Sequence, residues 1–248
     1  MSRLPDFIII GAQKCGTSAA MRLLRKHPQI GGIRPHKHPA WEIANPPVHR
    51  EPHFFDTNWS RGIDWYKRLF KKAFVIGEKT PAYMADSVAM HRLASVVPEA
   101  KLIVFLRHPV DRMYSQFLMI RRRNKSVSLS FEEWIHSPAS ADAFWRGMYW
   151  KQLQTVFALF DRTQVHVAFM EDLRTDVVGV MSEIQRFLGV YAMPLEEKGR
   201  KSKTPPMQAE TRRILEGWYR PHIEKLYDIL PAPQVKGWCP SENYERAA

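Results

Sequence analysis

The chain has 248 residues, enough to bury a sizeable core, and we expect residues 1–248 to form a single α/β domain. Hydrophobic residues make up 45% of the sequence and aromatic residues 12%, which excludes a disordered protein. The formal net charge of +12 indicates anionic partners such as nucleotides, sulfated or carboxylated molecules, nucleic acid or acidic membrane surfaces.

Cysteine content and hydropathy further narrow the class of protein. Cys15 and Cys239 are the only cysteines, and they give neither a disulfide framework nor the spacing of a zinc site. No stretch approaches the roughly 18 consecutive apolar residues of a membrane span. Residues 1–5 lead directly into the first predicted strand, which leaves no room for a signal peptide. We therefore expect a cytoplasmic protein without a membrane span.

The first predicted elements form a strand, a glycine-bounded loop and a helix. Phe7–Ile10 is a short apolar run typical of a buried parallel strand, and Gly11 and Gly16 bound the turn that follows it. In such a loop the backbone N–H groups and the positive helix N-terminus converge on one point, where a phosphate fits. Thr17 and Ser18 add hydroxyl donors. The candidate phosphate-binding residues are Gly11, Lys14, Cys15, Gly16, Thr17 and Ser18.

The spacing of this loop is that of a P-loop with one change. Thr17 stands where a nucleotide triphosphatase carries lysine, and Lys14 lies inside the loop instead. An ATP-dependent small-molecule kinase remains one alternative, although the missing lysine argues against it. The net charge and the basic run over 121–125 leave a second alternative, a nucleic-acid-binding module, although no nucleic-acid motif accompanies them.

The remaining predicted elements alternate between helices and strands. This alternation indicates an α/β protein with a P-loop-like three-layer fold, in which helices flank a central parallel sheet. After the first helix we expect a loop on the substrate side over 29–50, a helix over 62–70, a strand over 73–77, a helix over 86–96, a strand over 101–106, a helix over 110–122, a basic loop over 121–130, helices over 131–136 and 142–161, a strand over 164–169, and helices over 177–188 and 208–229.

A second phosphate-binding motif follows the strand over 101–106. Arg107 comes at the carboxyl end of this strand, and Ser115 lies one to two turns into the helix that Pro109 begins. An arginine fork and a hydroxyl make a suitable clamp for a phosphate. Because ligands of open α/β sheets bind at the carboxyl ends of the strands, we expect this clamp and the first loop to hold one nucleotide with phosphates at both ends of its ribose.

At this point the sequence resembles a known family. The loop over 11–18 resembles the 5′-phosphosulfate loop of sulfotransferases that use 3′-phosphoadenosine 5′-phosphosulfate (PAPS), and 107–115 resembles their 3′-phosphate motif. The segments over 50–56, 62–66 and 78–83 are similar to the heparan sulfate N- and 3-O-sulfotransferase branch. The chain lacks the membrane anchor and C-terminal disulfide of secretory-pathway members, so we expect a bacterial-type soluble relative.

The resemblance implies that a sulfuryl group moves from PAPS to a hydroxyl or amine of a carbohydrate or other small-molecule acceptor, leaving 3′-phosphoadenosine 5′-phosphate (PAP). No metal is needed. Lys14 would neutralise the developing charge, the loop would hold the 5′-phosphate, and Arg107 and Ser115 would hold the 3′-phosphate. Lys198, Gly199 and Arg200 resemble the family's cofactor loop, with Lys201 or Lys203 as alternatives in that role.

The resemblance leaves two candidates for the general base. Glu51 matches the proposed base of the glycan branch, whereas His53 stands two residues away and a histidine serves in the cytosolic small-molecule branch. On an extended segment both side chains point the same way, so both can face the acceptor. We favour Glu51, which should be ionised among the cations Arg50, Lys79 and Lys14. The candidate substrate contacts are Glu51, His53, Asp56, Lys79 and Trp41, with Arg121 and Arg122 as further candidates.

Overall fold

The computed structural model describes residues 3–33, 51–126, 128–196 and 205–239. The chain falls into two compact units. The sheet unit comprises Met1–Leu106 and Thr155–Gly199, and the helical unit comprises Arg107–Gln154 and Arg200–Ala248. Whether the whole chain acts as the single domain expected from its sequence stays a prediction.

The sheet unit is built on five parallel strands in the order β2-β3-β1-β4-β5, flanked by helices. This confirms the predicted α/β class. The central strand is apolar along its length because neighbours cover both of its faces, and Phe7 to Ile10 are fully buried. The strands are β1 (Phe7–Gly11), β2 (Ile30–Gly31), β3 (Val75–Lys79), β4 (Lys101–Leu106) and β5 (Val165–Phe169).

The register of the sheet places the site-bearing segments together. Ile9 of β1 lies opposite Lys79 of β3 on one side and opposite Ile103 of β4 on the other. The carboxyl ends of β1 and β3 therefore meet at one edge of the sheet. The loop after β1 and the last residue of β3 are neighbours for this reason.

Helices occupy both units. Within the described ranges, every helix is too short or too polar to span a bilayer. The helices of the sheet unit are α1 (Thr17–Leu24), α2 (Ile63–Arg68), α3 (Ser87–Val96), α8 (Met170–Thr175) and α9 (Val177–Leu188); those of the helical unit are α4 (Pro109–Arg123), α5 (Phe131–Ile135), α6 (Ala141–Trp145), α10 (Ala209–Ile229) and α11 (Pro233–Gly237); and α7 (Tyr149–Leu159) contributes residues to both.

The prediction of a strand over 73–77 was wrong by two residues, since β3 runs over Val75–Lys79. The carbonyls of Ala73 and Phe74 accept hydrogen bonds from the Arg3 guanidinium, at 3.0 and 2.7 Å, instead of joining the sheet. The Phe74 side chain is 67% exposed. Lys79 is therefore the last residue of β3, and the hydrogen bonds of the sheet fix its backbone.

The single helix predicted over 142–161 was also wrong, because the chain turns between α6 and α7. Gly147 lies at this turn, and a Cβ added there would stand 2.6 Å from the Tyr219 ring. The Tyr219 hydroxyl donates to the carbonyl of Phe144 at 3.1 Å, which fixes the end of α6. The sequence pattern also missed three short elements, β2, α8 and α11.

Gly77 provides a test of how tightly the sheet is packed. A Cβ at this position would lie 2.1 Å from the Phe7 ring on the neighbouring strand, so Gly77→Ala should lower the free energy of unfolding by about 1–3 kcal/mol. Gly217, in α10, has open space around it. The control Gly217→Ala should raise the free energy of unfolding by up to about 1 kcal/mol, because alanine favours helix. Urea denaturation followed by circular dichroism measures both, and equal effects would contradict this packing.

Candidate active site

The loop between β1 and α1 has the backbone geometry of an anion-binding turn. Lys14 and Gly16 both adopt positive φ angles, of 74° and 87°. The Ala12 N–H donates to the Phe105 carbonyl of β4 at 2.8 Å, which ties the loop to the sheet. The first turn of α1 contains no acidic residue, so the positive end of this helix is not neutralised from within.

Packing against α8 holds the loop in this shape. A Cβ at Gly16 would stand 2.4 Å from the sulfur of Met170, at the start of α8, and the positive φ also favours glycine. Cys15 is fully buried and its thiol donates to the Gln13 carbonyl at 3.7 Å. Thr17 is buried, whereas Ser18 is exposed. Of the two hydroxyls predicted to face a phosphate, Ser18 is the accessible one.

A continuous set of polar contacts runs from this loop to Glu51, the predicted base, and on to the predicted substrate contacts His53 and Asp56. The Lys79 ammonium donates to the Ser18 hydroxyl at 3.1 Å and to the Glu51 carboxylate. Glu51 Oε2 lies 3.3 Å from His53 Nε2, and His53 Nδ1 lies 2.8 Å from Asp56 Oδ2. We call these five residues, Ser18, Lys79, Glu51, His53 and Asp56, the polar chain.

The backbone around His53 differs from the extended segment predicted for 51–53. His53 has a φ of 48°, in the left-handed region, and its carbonyl accepts the N–H groups of Thr57 and Asn58 at 3.1 and 2.7 Å. This turn sets the imidazole between Glu51 and Asp56. Because of this turn, the side chains of the two candidate bases, Glu51 and His53, contact each other.

The charges of the polar chain alternate in sign. Burial opposes protonation of His53, but hydrogen bonds with Asp56 and Glu51 outweigh it and raise the pKa of His53 to about 10. Burial likewise opposes ionisation of Glu51, yet hydrogen bonds from His53 and Lys79 lower the pKa of Glu51. The pKa of Asp56 is lowered by His53 against the same effect of burial. His53 is thus an imidazolium with both ring nitrogens protonated, while Glu51 is ionised.

The second phosphate motif belongs to the helical unit. Arg107 precedes α4, and its carbonyl accepts a hydrogen bond from the Tyr149 hydroxyl at 3.0 Å. Ser115 lies within α4 and is half-buried. Trp41, Arg50, Lys198, Gly199, Arg200, Lys201 and Lys203 lie outside the described residues.

A cavity of about 490 Å³ lies within the helical unit. Arg121 and Arg122, which the sequence suggested as substrate contacts, line this cavity together with the aromatic rings of Tyr114, Phe117 and Phe131. The cavity therefore combines cationic groups with apolar ring surfaces.

The sequence pattern missed the buried hydroxyl that supports the segment over 51–56. Tyr83 Oη accepts the backbone N–H groups of Phe54 and Phe55, at 2.8 and 3.4 Å. The two phenylalanines are themselves buried. The available signal was the sequence over 78–83, which the family resemblance singles out but which periodicity alone treats as a turn.

Comparisons with known proteins agree on one family. A family model described as the sulfotransferase domain matches residues 4–220. Human bifunctional heparan sulfate N-deacetylase/N-sulfotransferase 3 is 32% identical over 270 residues, covering 92% of this chain and 30% of that protein. Mouse heparan sulfate glucosamine 3-O-sulfotransferase 3B1 is 28% identical over 263 residues, covering 92% of this chain and 63% of that protein. The chain thus spans less than two thirds of the length of either relative.

Solved structures show the same fold. A sulfotransferase from Alicyclobacillus acidocaldarius superposes with a TM-score of 0.75 at 27% identity, covering 95% of this chain and 99% of that one. A mouse sulfotransferase complexed with PAP superposes with a TM-score of 0.59 at 15% identity, covering 96% of this chain and 90% of that one, and this likeness concerns the fold alone. The P-loop-like fold predicted from the sequence is confirmed.

The raised pKa of His53 predicts how stability varies with pH. A charged His53 stabilises the folded protein fully below its ordinary pKa of 6.5, and this stabilisation is lost as the pH rises towards about 10. The free energy of unfolding should therefore decline across this range in the unmodified protein. His53→Gln should lack that decline, whereas the control His91→Gln, at an exposed position of α3, should retain it. Urea titrations from pH 6 to 10 measure the effect, and parallel curves for all three proteins would refute a charged His53 between Glu51 and Asp56.

Proposed function

Because the chain belongs to the sulfotransferase family, we propose that it moves a sulfuryl group from PAPS to a hydroxyl or amine of a carbohydrate acceptor. The observation that carries this proposal is the polar chain, which joins the phosphate-loop hydroxyl of Ser18 to the Glu51 carboxylate through one buried ammonium, that of Lys79. A donor-binding group and a base are thus held within a single set of contacts. Neither the kinase alternative nor the nucleic-acid alternative has support from the comparisons.

The residues of the loop fit a phosphosulfate group. The positive φ of Gly16, the absence of acidic residues from the first turn of α1 and the exposed Ser18 hydroxyl are suited to an anion. In this proposal Lys14 and Lys79 neutralise charge on the departing phosphate and the sulfuryl oxygens. Bound PAPS supplies the activated sulfuryl group. Arg107 and Ser115 hold the 3′-phosphate, and Lys198, Gly199 and Arg200 complete the binding of the nucleotide.

Glu51 acts as the general base. It takes the proton of the acceptor while the acceptor oxygen or nitrogen forms a bond to sulfur and the bond from sulfur to the bridging phosphate oxygen breaks, leaving its electron pair on PAP. His53 does not compete for this role, because both ring nitrogens carry protons near neutral pH. His53 and Asp56 instead hold the Glu51 carboxylate in place. The lysines and backbone donors stabilise the dispersed anionic charge of the transition state without a metal.

The relatives suggest the class of acceptor. Both named relatives are heparan sulfate sulfotransferases, one acting at nitrogen and one at oxygen by their names. We therefore propose a sugar hydroxyl or amino group as the acceptor, with Trp41 and the basic cavity of Arg121 and Arg122 among its contacts. The cytoplasmic location expected from the sequence remains a prediction.

Calorimetric titration with PAP tests the donor half of the proposal. The unmodified protein should bind PAP more tightly than adenosine 5′-phosphate, since only PAP engages both phosphate motifs. Lys14→Ala should weaken PAP binding by about tenfold, because a charge-assisted hydrogen bond contributes about 1.5 kcal/mol. The control Lys72→Ala removes an exposed lysine of the same unit and should leave the affinity unchanged. Absence of PAP binding would overturn the proposal.

Transfer of labelled sulfate from PAPS tests the catalytic half. We suggest three acceptors: an N-unsubstituted glucosamine oligosaccharide, an N-acetylated one and 4-nitrophenol. Glu51→Gln should lower the transfer rate by about a hundredfold or more while PAP affinity is retained, because the amide cannot accept the proton. Glu99→Gln, at an exposed position, serves as the matched control. Full activity of Glu51→Gln would show that the base lies elsewhere.

A further inference from the structure

Glu78 is a buried carboxyl group that the proposed reaction does not use. It adjoins Lys79 in β3, and its side chain is completely inaccessible to solvent. Its two oxygens accept hydrogen bonds from the Tyr66 hydroxyl at 2.9 Å and from the Thr80 hydroxyl at 2.8 Å. A carboxyl group buried this deeply in a strand is costly, which indicates that its contacts serve a purpose beyond packing.

Two tyrosines connect this part of the sheet unit to the segment that carries the proposed base. The Tyr83 oxygen accepts the N–H groups of Phe54 and Phe55. The Tyr66 hydroxyl donates to Glu78, and the Tyr66 ring stacks against the Phe54 ring with the ring centres 4.4 Å apart. Tyr83 therefore holds the backbone of the segment, while Glu78 acts on the segment through Tyr66.

The supported residues lie at the centre of the segment. Phe54 and Phe55 fall between His53 and Asp56, immediately after the left-handed turn. The Arg92 guanidinium fixes the opposite side of the same segment by donating to the Phe55 carbonyl at 2.8 Å. Without the Tyr83 hydroxyl, two buried N–H groups at this turn would lose their acceptor, and an unpaired buried N–H is unfavourable enough to shift the backbone.

We propose that Glu78 and Tyr83 are positioning residues that hold the Glu51–His53–Asp56 triad in its working geometry. Glu78 holds the Tyr66 ring against Phe54, Tyr83 fixes the backbone after His53, and the imidazolium then keeps both carboxylates in place. The catalytic role of these two residues rests on the proposed function, whereas their effect on the geometry of the triad can be measured without any substrate.

Protonation of Glu78 should loosen this support. Burial raises the pKa of Glu78 to about 7, even though hydrogen bonds from Thr80 and Tyr66 and the charge of His53 favour the ionised form. The ionised carboxylate accepts hydrogen bonds from both of these hydroxyls. A protonated carboxyl group must donate its own proton, so one of the two hydroxyls has to turn away. The triad should accordingly become better ordered as the pH rises through about 7.

The direct test is the titration of His53 by NMR in protein labelled with ¹⁵N-histidine, with His53→Gln used for assignment. In the unmodified protein the His53 ring should keep both protons above pH 8. Tyr83→Phe deletes only the hydroxyl, and it should lower the apparent pKa of His53 by about one unit or more, because the imidazolium loses its fixed partners. Glu78→Gln should act in the same direction.

Two control variants separate positioning from a general loss of stability. Tyr66→Phe removes one donor to Glu78 but leaves Tyr83 on the backbone, so the shift for His53 should be smaller. Tyr227→Phe deletes an exposed hydroxyl in the helical unit and should leave the titration unchanged. If Tyr83→Phe and Glu78→Gln both titrate like the unmodified protein, the proposal is wrong.

Kinetics add a readout that a purely structural role would not produce. Tyr83→Phe and Glu78→Gln should each lower kcat by about tenfold while the KM for PAPS stays the same, because the donor-binding loop is untouched. The kcat of Glu78→Gln should also lose its rise near pH 7. Should one variant fail to fold, the other carries the test. Failure of the unmodified protein to transfer sulfate would refute the proposed function, but the NMR titration would still decide the positioning role.

Discussion

The buried ammonium of Lys79 is the group on which the rest of the site depends. Its side chain is only 4% exposed, so it requires anionic or hydroxyl partners, and it has both in Glu51 and Ser18. Lys79 is the last residue of β3, opposite Ile9 of the central strand. The sheet register therefore decides where this charge lies, and the charge in turn decides where the Glu51 carboxylate can be held.

The charges beyond Lys79 follow from the same requirement. An ammonium, a carboxylate, an imidazolium and a second carboxylate alternate along the polar chain, so that each charge has an opposite neighbour. Removing one member leaves the charge of its neighbour uncompensated, so we expect single substitutions here to lower the free energy of unfolding as well as the activity. The same alternation raises the pKa of His53 and lowers that of Glu51, so that Glu51 is ionised, as its proposed role of general base requires.

The sequence predicts those parts of the molecule that local patterns determine. β1 and β4 are apolar runs, and the spacing of Gly11 and Gly16 marks the loop between strand and helix, so these features are confirmed. The predicted bounds of β3 were wrong because the carbonyl of Ala73 accepts a hydrogen bond from Arg3 instead of joining the sheet. Arg3 lies 70 residues away in the sequence, so no local pattern shows this contact. The turn at His53 was missed because no residue pattern predicts a positive φ at a histidine. Tyr83 was missed because its partners are backbone N–H groups, which a sequence does not show.

The central claim is that the loop over 11–18 and the Glu51 carboxylate serve one reaction through Lys79. A crystal structure of the protein with PAP tests this most directly. We predict that the 5′-phosphate lies within hydrogen-bonding distance of the Ser18 hydroxyl and the N–H groups that begin α1, with the Lys79 ammonium between this phosphate and Glu51. A nucleotide bound away from the loop, or a 5′-phosphate on the far side of the sheet edge from Glu51, would contradict the account.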